Sequence, residues 1–213
     1  MATCKDVVKR LRNLYNFYFS HNSFRKVGGS DNIIKYGKNC RFRDCHVYVR
    51  GNHNSVIFSE NCNMMGLNIL IEGDNNSIIF GKGVIVNASK VQPTVMNALG
   101  GCKIMIGDGS LFSNNIEIHT TDYHGIYDEH GKRINPDKDI YIGNRVWCGL
   151  GCKILKGTNI LDGTIIGAGS IVTGKIKEKN VIIAGNPAKI IKRQVFWNEK
   201  RLDSCMHMPK DLI

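Results

Sequence analysis

The sequence predicts an all-β solenoid of stacked parallel coils, and three observations carry that prediction. From Ile142 to Val172 an apolar residue recurs at every sixth position: Ile142, Cys148, Ile154, Ile160, Ile166 and Val172. The fifth position of the same hexads is always small or β-branched, as Val146, Cys152, Thr158, Thr164 and Ser170. Upstream, the stretches starting at Gly29, Gly51 and Gly73 repeat a longer unit, 22 residues apart, that ends in Tyr36, Phe58 and Phe80. A period of six fits neither a helix nor a simply alternating strand. It fits short flat strands that each turn a corner and send an apolar residue inward once per face.

Taken in order, residues 1–28 are expected to form an N-terminal helical cap, with Val7, Val8, Leu11, Leu14, Tyr15, Tyr18 and Phe19 at helical spacing. Such a helix hides the open edge of the first coil, and its basic polar face also suits weak contact with a membrane surface. The solenoid domain spans residues 29–193. Its first units join a Gly/Asn/Asp corner, tolerant of positive φ, to a β-branched run ending in an aromatic. Residues 87–103 break the pattern around Val91-Gln-Pro-Thr94, and Ile106-Gly-Asp-Gly-Ser110 resumes it. Residues 120–139 form a polar loop without hexads, and a loop that long inside a compact repeat is usually functional. Residues 194–213, with Phe196 and Trp197, form a tail expected to be a short helix closing the far end or a contact with a neighbouring subunit.

Bulk properties narrow the partners. No apolar run reaches the roughly 18 residues of a membrane helix, and the N-terminus lacks a signal-peptide core, so a cytoplasmic location is expected. Eight cysteines include no C-x-x-C pair, and Cys40, Cys62, Cys148 and Cys152 fall on repeat positions, which reads as reduced packing residues. The net charge of +11 suits an anionic small molecule or glycan as well as a merely solvated basic surface. No nucleic-acid-binding motif accompanies it.

The dense set of titratable groups lies in and beside the long loop: Glu117, His119, Asp122, His124, Asp128, Glu129 and His130. Histidine is the side chain best suited to take a proton from a hydroxyl near neutral pH. His124 sits in Asp122-Tyr-His-Gly-Ile126, where Asp122 is placed to fix its tautomer; His119 competes for the same role from within a strand. The spacing of His119, His124 and His130 matches no standard zinc pattern, so no metal is expected. Trp147, in the first hexad after the loop, is large for a solenoid corner and suits a subunit interface or the wall of a ligand groove.

Three motifs then carry a resemblance: Ile140-Tyr-Ile-Gly-Asn-Arg-Val-Trp-Cys-Gly149, Ile165-Ile-Gly-Ala-Gly-Ser-Ile-Val-Thr173 and Ala184-Gly-Asn-Pro-Ala-Lys189. From about Gly29 to Arg193 the chain resembles the hexapeptide-repeat acyltransferases. Thr121-Asp-Tyr-His-Gly-Ile-Tyr-Asp128 with Lys132-Arg-Ile-Asn135 looks most like the O-acetyltransferases of capsular polysaccharide, sialic acid and lipopolysaccharide sugars. The resemblance implies a left-handed parallel β-helix, a homotrimer, acetyl-CoA as cosubstrate with no metal, and a carbohydrate acceptor, which the charge suggests is anionic. It implies His124 as general base with Asp122 beside it, Trp147 lining the acceptor and thioester region, and Gly149 offering its N–H to the thioester carbonyl. Ala168 and Thr173 match positions along the pantetheine arm, Leu150 is counted with Gly149 among the cofactor-binding residues, and Lys189 and Lys192 match basic positions near the nucleotide of coenzyme A. The sequence departs from the family pattern at Cys148, at Gly174-Lys175 and in its 22-residue coils. A sugar-nucleotide N-acetyltransferase, a drug-modifying acetyltransferase and a solenoid scaffold are the rival readings.

Overall fold

A computed structural model describes residues 21–199. Within them the chain winds through three flat sheets of seven, six and eight strands, each coil adding one strand to each sheet. The first sheet runs from Ser23–Lys26 to Ile171–Val172, the second from Ile33–Tyr36 to Asn159–Ile160, and the third from Arg41–Arg43 to a final hairpin. Strands pair in parallel throughout, except that Ile182–Gly185 turns back antiparallel onto Ala188–Lys192. The first strand thus begins at Ser23, inside the stretch expected to be cap. No helix occurs among the described residues; the predicted helix over residues 5–19 lies outside them, as does most of the tail. The described part of that tail, residues 194–199, is irregular rather than helical.

Each sheet buries alternate residues, and the buried set forms one continuous column. In the early coils its centre is aromatic: Phe58 and Phe80 stack with centroids 4.7 Å apart, and Phe42 meets Phe58 edge-on at 5.0 Å. In the late coils it is filled by Ile142, Cys148, Ile154, Ile160, Ile166 and Val172, all buried. The six-residue period is therefore a period of inward side chains. None of the six described cysteines is in a disulfide, and Cys62, Cys148 and Cys152 are buried packing residues.

Polar ladders stack the corners. Asn54 and Asn76 are fully buried. Asn54 Nδ2 donates to Gly73 O (2.7 Å), while its Oδ1 accepts Asn76 N–H (2.8 Å). The corner admits no side chain beside them, because a Cβ on Gly51 would fall 2.0 Å from Gly73 O. A second ladder runs through the later coils, from Asp108 N to Asn144 Oδ1 (2.8 Å) and from Asn144 N to Asp162 Oδ1 (2.9 Å). The sequence separations across these rungs are 22, 36 and 18 residues. The 36-residue coil holds the long loop. The irregular stretch near Val91 is a bulge before Thr94–Ala98, which rejoins the first sheet in register with Leu67–Ile71.

Candidate active site

The loop leaves the first sheet after the strand Glu117–His119 and returns to the second at Ile140–Ile142. Its two ends are clasped by Lys138 N–H donating to Thr120 O (3.0 Å). Between them the chain forms a small hairpin, with Tyr127 bridged to Arg133 and Asp128 Oδ1 accepting His130 N–H (3.0 Å) and Lys132 N–H (2.9 Å).

Asn135 holds this loop together. It is buried, its Oδ1 accepts Ile126 N–H (2.7 Å), and its Nδ2 donates to Asp122 Oδ2 and to His124 O, both at 2.8 Å. Asp122 Oδ2 also takes the Lys156 ammonium, and Lys156 Nζ donates to Asn135 O (2.9 Å). The Lys156 hydrogen bond, followed by that from Asn135, holds the Asp122 carboxyl below its usual range. The aspartate therefore does not orient the imidazole of His124; it ties the loop backbone to the coil beneath.

His124 itself is exposed, with its N–H donating to Asp122 O (2.8 Å) and its carbonyl held by Asn135. Among the described residues no hydrogen bond or ion pair engages its ring. Tyr123, just before it, sits at φ 63°, a conformation uncommon for a bulky residue. Its phenol is gripped by Asn97 Nδ2 and lies edge-on to His119, centroids 6.0 Å apart. His119 Nδ1 lies 3.2 Å from Asn97 Nδ2, so it accepts, and Nε2 faces Glu117 Oε2 at 3.5 Å. Burial is the main cause that lowers the His119 pKa, against the opposing pull of Glu117. His119 thus belongs to the packed support under Tyr123, whereas His124 carries a free ring on a fixed backbone.

Of the other expected residues, Trp147, Gly149, Leu150, Ala168, Lys189 and Lys192 lie on the third sheet or on the corner between the third and first sheets, whereas Thr173 follows Ile171–Val172 at the opposite edge of the first sheet, on the side of Lys156. Trp147 lies in a strand, not at a corner, and faces outward at 40% exposure between Leu111 and Ile165 in register. Gly149 is required by close approach: a Cβ there would meet Ile166 O at 2.8 Å and Ala168 N at 2.9 Å. Its N–H, however, donates to Ile166 O (2.9 Å) in the ladder between coils, so the donor expected for a thioester carbonyl is already used. No backbone hydrogen bond among the described residues engages the N–H of Leu150 or Ala168, both exposed on the same corner. Thr173, Lys189 and Lys192 are exposed, and the neighbouring Arg193 is paired with Glu178 at 2.8 Å. Among the described residues no group of three His, Cys, Asp or Glu side chains is placed to share a metal ion.

One strand separates the two halves of the site. Leu150 and Gly151 precede Lys153–Leu155 and Lys156 follows it, so roughly 10 Å of strand lies between the glycine corner and the foot of the His124 loop. Within one chain they stand at opposite edges of the first sheet.

No family model matches the chain. A polysialic acid O-acetyltransferase of Neisseria meningitidis is 35% identical over 106 residues, covering 49% of this chain and 49% of that protein. The chain is a homologue of the polysialic acid O-acetyltransferases. It aligns with about half the length of that curated relative. Solved structures agree over more of the chain. The polysialic acid O-acetyltransferase OatWY superposes with a TM-score of 0.71 at 25% identity, covering 87% of this chain and 94% of that one. The polysialic-acid-specific acetyltransferase NeuO gives 0.64 at 29%, covering 87% and 85%. The fold shared with these homologues is the left-handed parallel β-helix implied by the sequence motifs.

Proposed function

We propose that this protein is an acetyl-CoA-dependent O-acetyltransferase acting on a sugar hydroxyl of an anionic bacterial surface glycan. One observation carries the reading: the loop backbone is pinned on both sides of His124 while the imidazole is left free at the surface. A general base needs that combination of fixed position and open reach. His124 takes the hydroxyl proton as the sugar oxygen attacks the acetyl carbonyl. The carbon–sulfur bond then breaks, and the proton passes from His124 to the departing thiolate of coenzyme A. The Leu150 and Ala168 N–H groups are the open backbone donors for the oxyanion and the pantetheine arm, and Gly149 gives the close approach. Trp147 walls the thioester region, Thr173 lies along the arm, and Lys189 and Lys192 meet the phosphates. No nucleophile is required to hold the acetyl group, so transfer is direct.

The strand separating His124 from the glycine corner favours a homotrimer in which His124 of one solenoid faces the corner of the next. The proposed setting is the cytoplasm. No helix among the described residues is long and apolar enough to cross a membrane.

The test is thiol release from acetyl-CoA, wild type against His124→Ala, over neutral and anionic glycans. The expected result is acceptor-dependent release favouring anionic glycans and falling about 10²–10⁴-fold in the variant. A wild-type protein that fails to bind acetyl-CoA overturns the reading.

A further inference from the structure

Trp147 and Trp197 are the only two tryptophans of the chain, and they meet. Residues 194–199 fold back over the third sheet after the final hairpin. Val195 N–H donates to Asn180 O (2.9 Å). Trp197 and Arg145 then exchange bonds: the indole Nε1–H donates to Arg145 O (2.7 Å), and Arg145 Nη2 donates to Trp197 O (3.0 Å). The guanidinium also lies 5.5 Å from the centre of the Trp197 ring. Trp197 is only 8% exposed, and its ring stands 6.0 Å from that of Trp147 at 44°.

These contacts have a direction. Arg145 adopts φ 51°, a left-handed corner conformation that a long side chain seldom takes, and the tail grips both its carbonyl and its guanidinium. Trp147 follows two residues later, and the large indole of Trp197 occupies one side of it. An exposed tryptophan on a two-residue strand has free rotamers; a buried aromatic beside it removes some of them.

We infer that residues 194–199 are a latch over the third sheet and that Trp197 is a positioning residue, setting the ring of Trp147 for the acyl donor. The inference rests on the reading of Trp147 as a wall of the thioester region. Trp197 acts through Trp147 and has no role in proton transfer. Its removal should therefore raise KM for acetyl-CoA with little change in kcat, whereas loss of His124 acts on kcat.

Trp197→Phe and Trp197→Ala each leave Trp147 as the sole tryptophan, so its fluorescence, excited selectively over tyrosine, can be read with and without an aromatic neighbour. In the full-length protein, Trp147 emission in Trp197→Ala is expected to shift to the red of that in Trp197→Phe and to be quenched more readily by acrylamide. KM for acetyl-CoA should rise about 2- to 10-fold in Trp197→Ala, with partial rescue in Trp197→Phe. Matching emission in the two variants overturns the latch. Shifted emission with wild-type KM overturns the positioning role. A wild type that releases no thiol from any acceptor defeats the acyltransferase reading and the positioning role with it; the latch then stands or falls on the emission alone.

Discussion

The two ends of the solenoid solve the same packing problem differently. The early coils, 22 residues apart, enclose an aromatic stack and carry buried asparagines at a widened corner. The late coils, 18 apart, have no aromatic centre and turn on Thr158, Thr164 and Ser170, whose hydroxyls bond nearby carbonyls. Four additional residues per coil provide room for a ladder of buried asparagines, whereas the ladder of the later coils, through Asp108, Asn144 and Asp162, lies on exposed corners. The short coils draw corners such as Gly149–Gly151 and Gly167–Gly169 close together. Among the described residues no backbone hydrogen bond engages the N–H groups of Leu150 and Ala168 on these corners. The buried amide ladder lies at one end and the candidate glycine corner at the other.

The largest effect expected from this division is on Phe80→Ala. It should lower the unfolding free energy by about 3–5 kcal/mol, measured by urea denaturation, while the folded fraction keeps its KM for acetyl-CoA. A raised KM would break the division. Asn54→Ala comes next. It leaves Asn76 N–H buried without its partner, at about 1–3 kcal/mol, and removes a part-buried bond to Gly73 C=O; again it should act on stability alone. Asn135→Ala should do the reverse. The loop lies outside the ladders, so the melting temperature should hold nearly constant while thiol release falls about 10- to 100-fold as His124 loses its fixed backbone.

The smallest effect is one of pH. An unfolded His119 titrates near 6.5, and burial lowers the folded value. The unfolded chain therefore binds more protons in that interval, and stability rises with pH across it. The contribution is complete above about 6.5 and is lost as pH falls through the folded value. Glu117 opposes the shift and Lys153 adds to it. His119→Gln should flatten this slope in melting temperature between pH 5 and 7; an unchanged slope would place the titration elsewhere.

Much of the comparison was legible in the chain itself. The six-residue spacing gave the inward positions because a solenoid repeats the same contact in every coil, and the 22-residue spacing recurs in the hydrogen-bond rungs. The corner Asn52-His53-Asn54 was readable only as a turn. In the structure, His53 takes the positive φ while the asparagines on either side each join a separate ladder. A local pattern does not reveal which of two amides points inward. The candidate loop was visible as a break in period, but Asn135 was not singled out, since three bonds to distant parts of a loop leave no periodic mark. The same holds for the bond between Arg145 and Trp197, which are 52 residues apart. Gly149 was identified from its motif, yet only the register shows that its N–H already serves Ile166.

The clasp between Lys138 and Thr120 makes the loop a cassette. The solenoid meets the loop at this junction and at two further points, Lys156 on Asp122 and Asn135, and Asn97 on Tyr123; among the described residues no hydrogen bond joins the hairpin from Tyr127 to Arg133 to the coils. Doubling the length of such an excursion costs only about 0.6 kcal/mol of closure entropy. Hairpins of other lengths and compositions can therefore replace residues 127–133 while the coils and the pinned segment around His124 remain unaltered.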